Sequence, residues 1–129
     1  MRIVVVSTLA LLFLSSFTPG AGDDCRRFRT GKFKNVYEGI TTLIERTDSL
    51  QIETIAELGV VATYKLVWVD DCTFRVLPFK TMKGGVDISE QDTMTCTMQI
   101  THVSGNSYQQ LVTCDNTDIN VTCTITRIE

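Results

Sequence analysis

Regular alternation of apolar and polar residues is the feature that most limits what this chain can fold into. In residues 94–103 (MTCTMQITHV), Met, Cys, Met and Ile alternate with Thr, Thr and Gln, and residues 119–128 (INVTCTITRI) repeat the pattern. Successive side chains of a β-strand point to opposite faces. Each segment therefore predicts a strand with one face in a core and one face in water.

Further strand-like segments, rich in β-branched and aromatic residues, fill most of the chain. Turn residues separate them at intervals of about ten residues, a spacing typical of all-β proteins. A looser stretch at 82–93 contains Gly84–Gly85 and one candidate helical turn at 89–92. The eight predicted strands are 27–36, 40–46, 50–55, 60–69, 72–80, 94–103, 107–114 and 119–128.

Short connections between eight consecutive strands predict an antiparallel up-and-down meander. Closing the meander into a barrel removes both exposed sheet edges. An eight-stranded barrel has an interior that holds packed side chains or one small ligand. The predicted fold is therefore a small closed barrel, and a two-sheet β-sandwich is the alternative.

The N-terminus has the pattern of a secretory signal peptide. One Arg precedes an uncharged apolar run over residues 3–17, which as a helix is too short to cross a bilayer. Small residues follow in TPGAG. We expect residues 1–22 to be removed and residues 23–129 to form a single β-barrel domain, exported to the periplasm or the extracellular space and not stably inserted in a membrane.

Charge and motif content exclude several functions. The chain has 12 basic and 15 acidic residues, and Arg127 is the only basic residue after Lys83, so a nucleic-acid partner is not expected. His102 is the single histidine, and no nucleophile, phosphate-loop or metal-ligand motif is present. We therefore predict no catalytic residue, no metal, no cofactor and no enzymatic activity. We also expect the protein to act as a monomer.

The first predicted strand, 27–36, carries four Arg and Lys side chains that we expect on its wet face. Phe28 and Phe33 are out of phase in a straight strand, so a bend or bulge is expected at Gly31, which lies between them.

Three motifs between residues 25 and 77 resemble a family of small exported proteins of Bacteroidota-type bacteria. They are C-x-x-F-x-T-G-x-F from Cys25, R-x-D-S-x-Q-x-E at 46–53 and W-x-x-D-C-x-F at 68–74. Members are largely uncharacterised, and some carry a "DNA topoisomerase IV" label for which a domain of this size has no room. The family-like setting of Cys25 and Cys72 implies a first disulfide between them.

A second, fold-level resemblance is to the lipocalins. Gly31-Lys32-Phe33 resembles their G-x-W signature with Phe in place of Trp, and Arg127 stands on the last strand where lipocalins place an Arg. The resemblance implies that the barrel is closed at this end by the Arg127 guanidinium lying over the Phe33 ring.

Five cysteines in an exported chain indicate disulfides and leave at least one cysteine unpaired. In a meander, the strand with Cys114 neighbours the strands with Cys96 and Cys123, which are too far apart to bond to each other. Any second disulfide should therefore include Cys114, and a turn at 104–106 would place Cys96 opposite it. The alternative is that all three remain buried thiols.

An apolar wall on two neighbouring predicted strands is the best indication of function. Barrel interiors with aromatic walls can hold small apolar ligands. We therefore expect a binding module for a small, mainly hydrophobic ligand. The predicted ligand-binding residues are Tyr64, Leu66, Trp68, Phe74 and Val76.

The alternative is a non-enzymatic envelope structural or interaction protein with a filled core that works through its outer surface. Its working surface would be the basic first strand, with Arg27 and Arg29.

Overall fold

The structure, a computed structural model, describes residues 22–129. The predicted signal peptide lies outside these residues except for Gly22, and no helix within 22–129 is long and apolar enough to cross a membrane. A short helix and two single-turn 3-10 helices, Ala56–Leu58 and Ser89–Gln91, accompany nine strands. The elements are α1 (Gly22–Arg26), β1 (Gly31–Tyr37), β2 (Ile40–Arg46), β3 (Leu50–Ile55), β4 (Val60–Asp70), β5 (Thr73–Lys83), β6 (Val86–Asp87), β7 (Cys96–Ser104), β8 (Ser107–Cys114) and β9 (Asn120–Arg127).

Eight of the strands form a closed antiparallel ring. The order β1-β2-β3-β4-β5-β7-β8-β9 returns to β1 through a β1–β9 pairing, and β6 is an extra strand on the end of β5. This confirms the predicted eight-stranded up-and-down barrel rather than the sandwich. We call the end that carries α1 the helix end, and the end where β1, β3, β5 and β8 finish the loop end.

The predicted first strand is wrong over residues 27–30. Residues Gly22–Arg26 are helical, and the chain then turns, with the Phe28 amide donating to the Cys25 carbonyl at 2.9 Å. The strand begins only at Gly31, whose φ of +135° is open to glycine but strained for other residues. The turn explains how Phe28 and Phe33 are both fully buried although they are out of phase in a straight strand.

Arg127 closes the helix end of the barrel in the way that the lipocalin resemblance implied. Its guanidinium lies 5.0 Å from the centroid of the Phe33 ring and 5.5 Å from that of Phe28, and it donates a hydrogen bond to the Arg27 carbonyl. A side chain on Gly31 would collide with the same guanidinium.

Two disulfides fix the barrel. Cys25 bonds to Cys72, which ties α1 to the β4–β5 turn, and Cys96 bonds to Cys114 directly across the β7–β8 pair. Both pairings confirm the sequence-based expectations, and Cys123 is the free cysteine of residues 22–129. Two disulfides are typical of a protein that folds in an oxidising environment.

The barrel wall has a gap at the loop end. β5 pairs with β7 only along Thr73–Val76, and the far end of β5 pairs instead with the two-residue β6. Residues 88–95, which we call the covering segment, run across this gap. The Ile88 amide donates to the Thr81 carbonyl at 2.8 Å. The helical turn expected at 89–92 is confirmed as the 3-10 turn Ser89–Gln91.

Candidate functional site

Packed apolar side chains fill much of the lumen. At the helix end, the Phe28, Phe33 and Tyr108 rings pack with Ile125, and all four side chains are almost completely buried. A second cluster, made by β4 and β5, has buried Leu66, Phe74 and Val76 at its centre with Tyr64, Trp68 and Met98 around them.

The second cluster contains all five of the residues predicted to bind a ligand, but their surroundings differ. Leu66 and Phe74 are buried, and the Trp68 ring packs on Phe74 with centroids 4.6 Å apart. Tyr64 and Val76 line a cavity at the loop end. The structure therefore brings the predicted wall together, partly as filled core and partly as cavity surface.

Arg46 is a charged residue buried in the lumen, and the apolar–polar pattern of the sequence did not predict its burial. Its guanidinium donates three hydrogen bonds: to the Phe28 carbonyl at 2.7 Å, to Gln51 Oε1 at 2.8 Å and to the Tyr108 hydroxyl at 2.9 Å. Only 3% of Arg46 is exposed, so these acceptors replace its water shell.

The Arg46 charge is stabilised by rings and linked indirectly to a carboxylate. The guanidinium carbon lies 4.6 Å from the Phe33 centroid and 4.8 Å from the Phe74 centroid. Gln51 accepts from Arg46 and in turn donates from Nε2 to Glu53 Oε2 at 2.8 Å. Gln51 thus connects Arg46 to the acidic Glu53.

Two partly open cavities adjoin each other at the loop end and share Glu53, Tyr64 and Asp92. The larger, of about 300 Å³, lies under the covering segment and reaches Ala62 and Thr81. The smaller, of about 190 Å³, has an apolar wall. That wall is formed by Val76, Met94, Cys96 and Met98.

Asp92 holds the covering segment against the barrel. Its Oδ2 accepts from the Thr81 hydroxyl at 2.7 Å and from the Tyr64 hydroxyl at 3.2 Å. Within residues 22–129, Glu53 Oε1 and Asp92 Oδ1 have no hydrogen-bond donor, and neither carboxylate forms an ion pair.

Burial shifts the acid–base properties of this wall. It raises the pKa of Glu53 above its usual value, as does the nearby negative charge of Asp92, while Gln51 and Arg46 act in the opposite direction. Burial and the charges of Glu53 and Asp92 also raise the pKa of Tyr64. Tyr64 therefore remains a neutral phenol.

Cys123 is not placed for thiolate chemistry. Its thiol is half-buried, 3.7 Å from Gln110 Nε2, and burial raises its pKa, which keeps it protonated. No group of three or more His, Cys, Asp or Glu side chains within residues 22–129 is arranged to hold a metal ion.

A third cavity, of about 380 Å³, lies beside the Cys25–Cys72 disulfide at the helix end. His102 and Asp71 line it. Asp71 is engaged by the Arg26 guanidinium at 2.9 Å and lies 3.8 Å from that of Arg29. Asp70, the second acidic residue of the lining, accepts from the Cys72 amide at 2.9 Å. Because both acidic groups already have partners, this cavity offers a ligand less than the loop-end pair.

The basic side chains around the first strand also have partners. Arg29 lies over the Trp68 ring at 4.5 Å, and Lys32 Nζ is 3.6 Å from Glu129. Arg27 lies over the Phe28 ring at 5.0 Å and donates to the Gly105 carbonyl. The basic segment is thus tied into the helix end.

The sequence reasoning missed Arg46, Gln51 and Glu53 as lumen residues. In β3 the apolar Leu50 is exposed while Gln51 is 3% exposed, so the strand turns its polar face inward. The available signal was the R-x-D-S-x-Q-x-E motif, in which these three residues are the ones that meet in the lumen.

The fold defines the class of this protein as a closed eight-stranded antiparallel β-barrel with one extra strand. Comparisons with protein-family models, curated proteins and solved structures found no match.

Proposed function

We propose that this chain is an exported, non-enzymatic binding module that holds a small, mainly hydrophobic molecule in the loop end of its barrel and acts as a monomer. The observation that carries the proposal is the pair of adjoining cavities inside the barrel beside Tyr64. Their volumes of about 300 and 190 Å³ suit a ligand of modest size.

The chemistry of the walls supports a mainly apolar ligand. Val76 and Met98 line one cavity, and Ile55, Val60 and Ala62 line the other. Methionine side chains adapt to irregular apolar shapes. The two disulfides and the N-terminal sequence support export, and the resemblances to lipocalins and to exported Bacteroidota proteins agree with it.

The gap between β5 and β7 provides a route into the lumen. The covering segment crosses this gap and contributes Ile88, Asp92 and Met94 to the cavity walls. Displacing a short segment exposes the cavities without breaking the ladder between β5 and β7, which ends at Val76.

A titration with the neutral naphthalene fluorophore prodan tests this function. We expect the wild-type protein to bind one equivalent with a blue-shifted emission. Ala62→Phe should abolish the signal because it fills the larger cavity, and circular dichroism checks that this variant folds. Val67→Phe is the matched control, since Val67 is on the same strand but 52% exposed on the outer surface.

Native mass spectrometry of the protein purified from its own host gives a second test. We expect an added mass that is lost on denaturation. A bare chain mass together with no prodan binding, or equal prodan binding by both Phe variants, would overturn the proposal.

A further inference from the structure

We infer that the lumen ligand is an amine, with a protonated amino group held between Glu53 and Asp92 and an apolar body in the smaller cavity. This inference rests on the proposed lumen-binding function and adds the chemical class of the ligand. Three independent features of the loop-end wall lead to it.

The first feature is that the hydroxyl groups beside Asp92 have already donated their hydrogens. The hydroxyls of Thr81 and Tyr64 both donate to Asp92 Oδ2, and Gln51 Nε2 donates to Glu53 Oε2. A hydroxyl has a single hydrogen to donate. In the lining of the smaller cavity, Tyr64 carries the hydroxyl and Glu53 and Asp92 carry acceptors, so a ligand group that fits beside these carboxylates must be a donor.

The second feature is negative charge that has no ion-pair partner among residues 22–129. Glu53 and Asp92 line both cavities, and neither forms an ion pair with any of residues 22–129. The nearest buried cation, Arg46, is committed to Phe28, Tyr108 and Gln51. Partial burial deprives a carboxylate of some of its hydration, and an ammonium group supplies both a positive charge and three donors in its place.

The third feature is the apolar surface adjacent to the carboxylates. The smaller cavity places Val76, Met94 and Met98 on the same wall as Glu53 and Asp92. Tyr64 lines both cavities, and an aromatic ring beside a cationic group adds a favourable contact. A carboxylate ligand, such as a fatty acid, would instead meet two like charges.

Three probes with the same eight-carbon chain test the class of ligand by calorimetry. They are n-octylamine, n-octanol and octanoate, titrated at neutral pH into the full-length mature protein. We expect the amine to bind about tenfold or more tightly than the alcohol, and octanoate not to bind. A tenfold difference corresponds to about 1.4 kcal/mol, the size of one hydrogen bond to a charged group.

Two isosteric variants locate the amino group. Glu53→Gln and Asp92→Asn should each weaken octylamine binding about tenfold and leave octanol binding within about twofold. Octanol binding by the variants shows that the cavity is intact. Glu45→Gln, on the exposed face of β2, is the matched control and should change nothing.

The outcomes separate the two proposals. Equal binding of the amine and the alcohol, preferential binding of octanoate, or unchanged amine binding in both variants overturns the amine inference while lumen binding stands. Absence of binding by all three probes together with absence of prodan binding overturns both.

Discussion

At the scale of single residues, Arg46 shows how this barrel accommodates a buried charge without a direct carboxylate partner. Three hydrogen bonds and two aromatic faces take the place of solvent around the guanidinium. The planar group can satisfy several acceptors at once while stacking on rings, which a lysine ammonium cannot do. Arg46 thereby joins the turn at Phe28 to the strands that carry Gln51 and Tyr108.

Replacing Arg46 should destabilise the fold strongly. Arg46→Met leaves the Phe28 carbonyl, Gln51 and Tyr108 without their partner in the interior, at a cost of about 3–5 kcal/mol in the free energy of unfolding. Urea denaturation measures this. Arg75→Met, which removes a half-exposed pair with Asp115 on the outer surface, should cost less than about 1 kcal/mol, and similar losses for both would contradict the role given to Arg46.

Glu53 should make the protein less stable as the pH rises. Its folded-state pKa is raised, chiefly by burial, so its stabilising contribution is complete below the usual glutamate pKa of 4.5 and is lost as the pH rises through the raised value. Glu53→Gln should therefore gain stability relative to the wild type as the pH is raised from acidic to neutral.

Urea midpoints measured across this pH range for the two proteins provide the comparison. Asp71 and Asp87 have lowered pKa values and act in the opposite direction in both proteins, so the difference between the two curves isolates Glu53. A constant difference at all pH values would contradict the prediction.

Residues facing the lumen could be predicted from the sequence only where the inward side chain is apolar. Tyr64 and Val76 were identified because apolar side chains normally face a core. Gln51 was not, because β3 exposes Leu50 and buries Gln51, and this inversion depends on a hydrogen bond to Arg46 from another strand. Arg46 lies opposite Gln51 on the adjacent strand, so this contact leaves no signal in the apolar–polar alternation of β3 itself.

At the scale of elements, the junction between α1 and β1 depends on Gly31. Gly31→Ala should destabilise the fold by about 1–3 kcal/mol, because φ is +135° and the new methyl group would displace Arg127 from the rings it covers. Thermal unfolding followed by circular dichroism measures the loss. Gly105→Ala is the control: φ is +58° with open space around the position, so a loss as large as that of Gly31→Ala would argue against the Arg127 contact.

The two disulfides should contribute unequally. Cys25–Cys72 spans 47 residues and Cys96–Cys114 spans 18, so chain entropy gives losses of about 4 and about 3 kcal/mol on removal. Removing the first also releases α1 from the β4–β5 turn. Urea unfolding of the two double Cys→Ser variants should rank Cys25/Cys72 as the less stable, and the reverse order would show that the tie at the helix end matters little.

Most strand positions could be predicted from alternation and turn spacing. The first strand could not, because the turn around Phe28 is set by a disulfide to a residue far along the chain. β6 has only two residues, too few for any periodic pattern.

At the scale of the whole molecule, the sequence predicted closure because a meander of eight strands must hide its edges. The sequence did not predict the gap beside β5. The gap arises because the chain between β5 and β7 forms β6 and the covering segment before it returns to the barrel wall. The cavities lie at this irregularity, so the candidate site was less predictable than the fold.

Amide hydrogen exchange measured across the whole barrel should detect the gap as faster exchange in one half of β5. Amides of β5 that point away from β4 should exchange slowly within Thr73–Val76, where β7 accepts their hydrogen bonds. They should exchange faster at Leu77, Phe79 and Lys80 beside the gap, where Pro78 has no amide hydrogen. Exchange followed by NMR resolves the two halves, with β8, paired on both sides, as the slow reference. Uniform protection along β5 would contradict the gap.

The pairing of β1 with β9 has a consequence for how the chain is made. Phe33 meets Arg127 and Asn35 meets Ile125, so the ring is completed by contacts between residues almost a hundred positions apart. A chain that enters its folding compartment from the N-terminus cannot complete the barrel until β9 has arrived. Until then β1 presents an unpaired edge, and such long-range closure is slow and exposed to aggregation. Folding should therefore be slow, and β1 should be protected from edge-to-edge association only once β9 has paired with it.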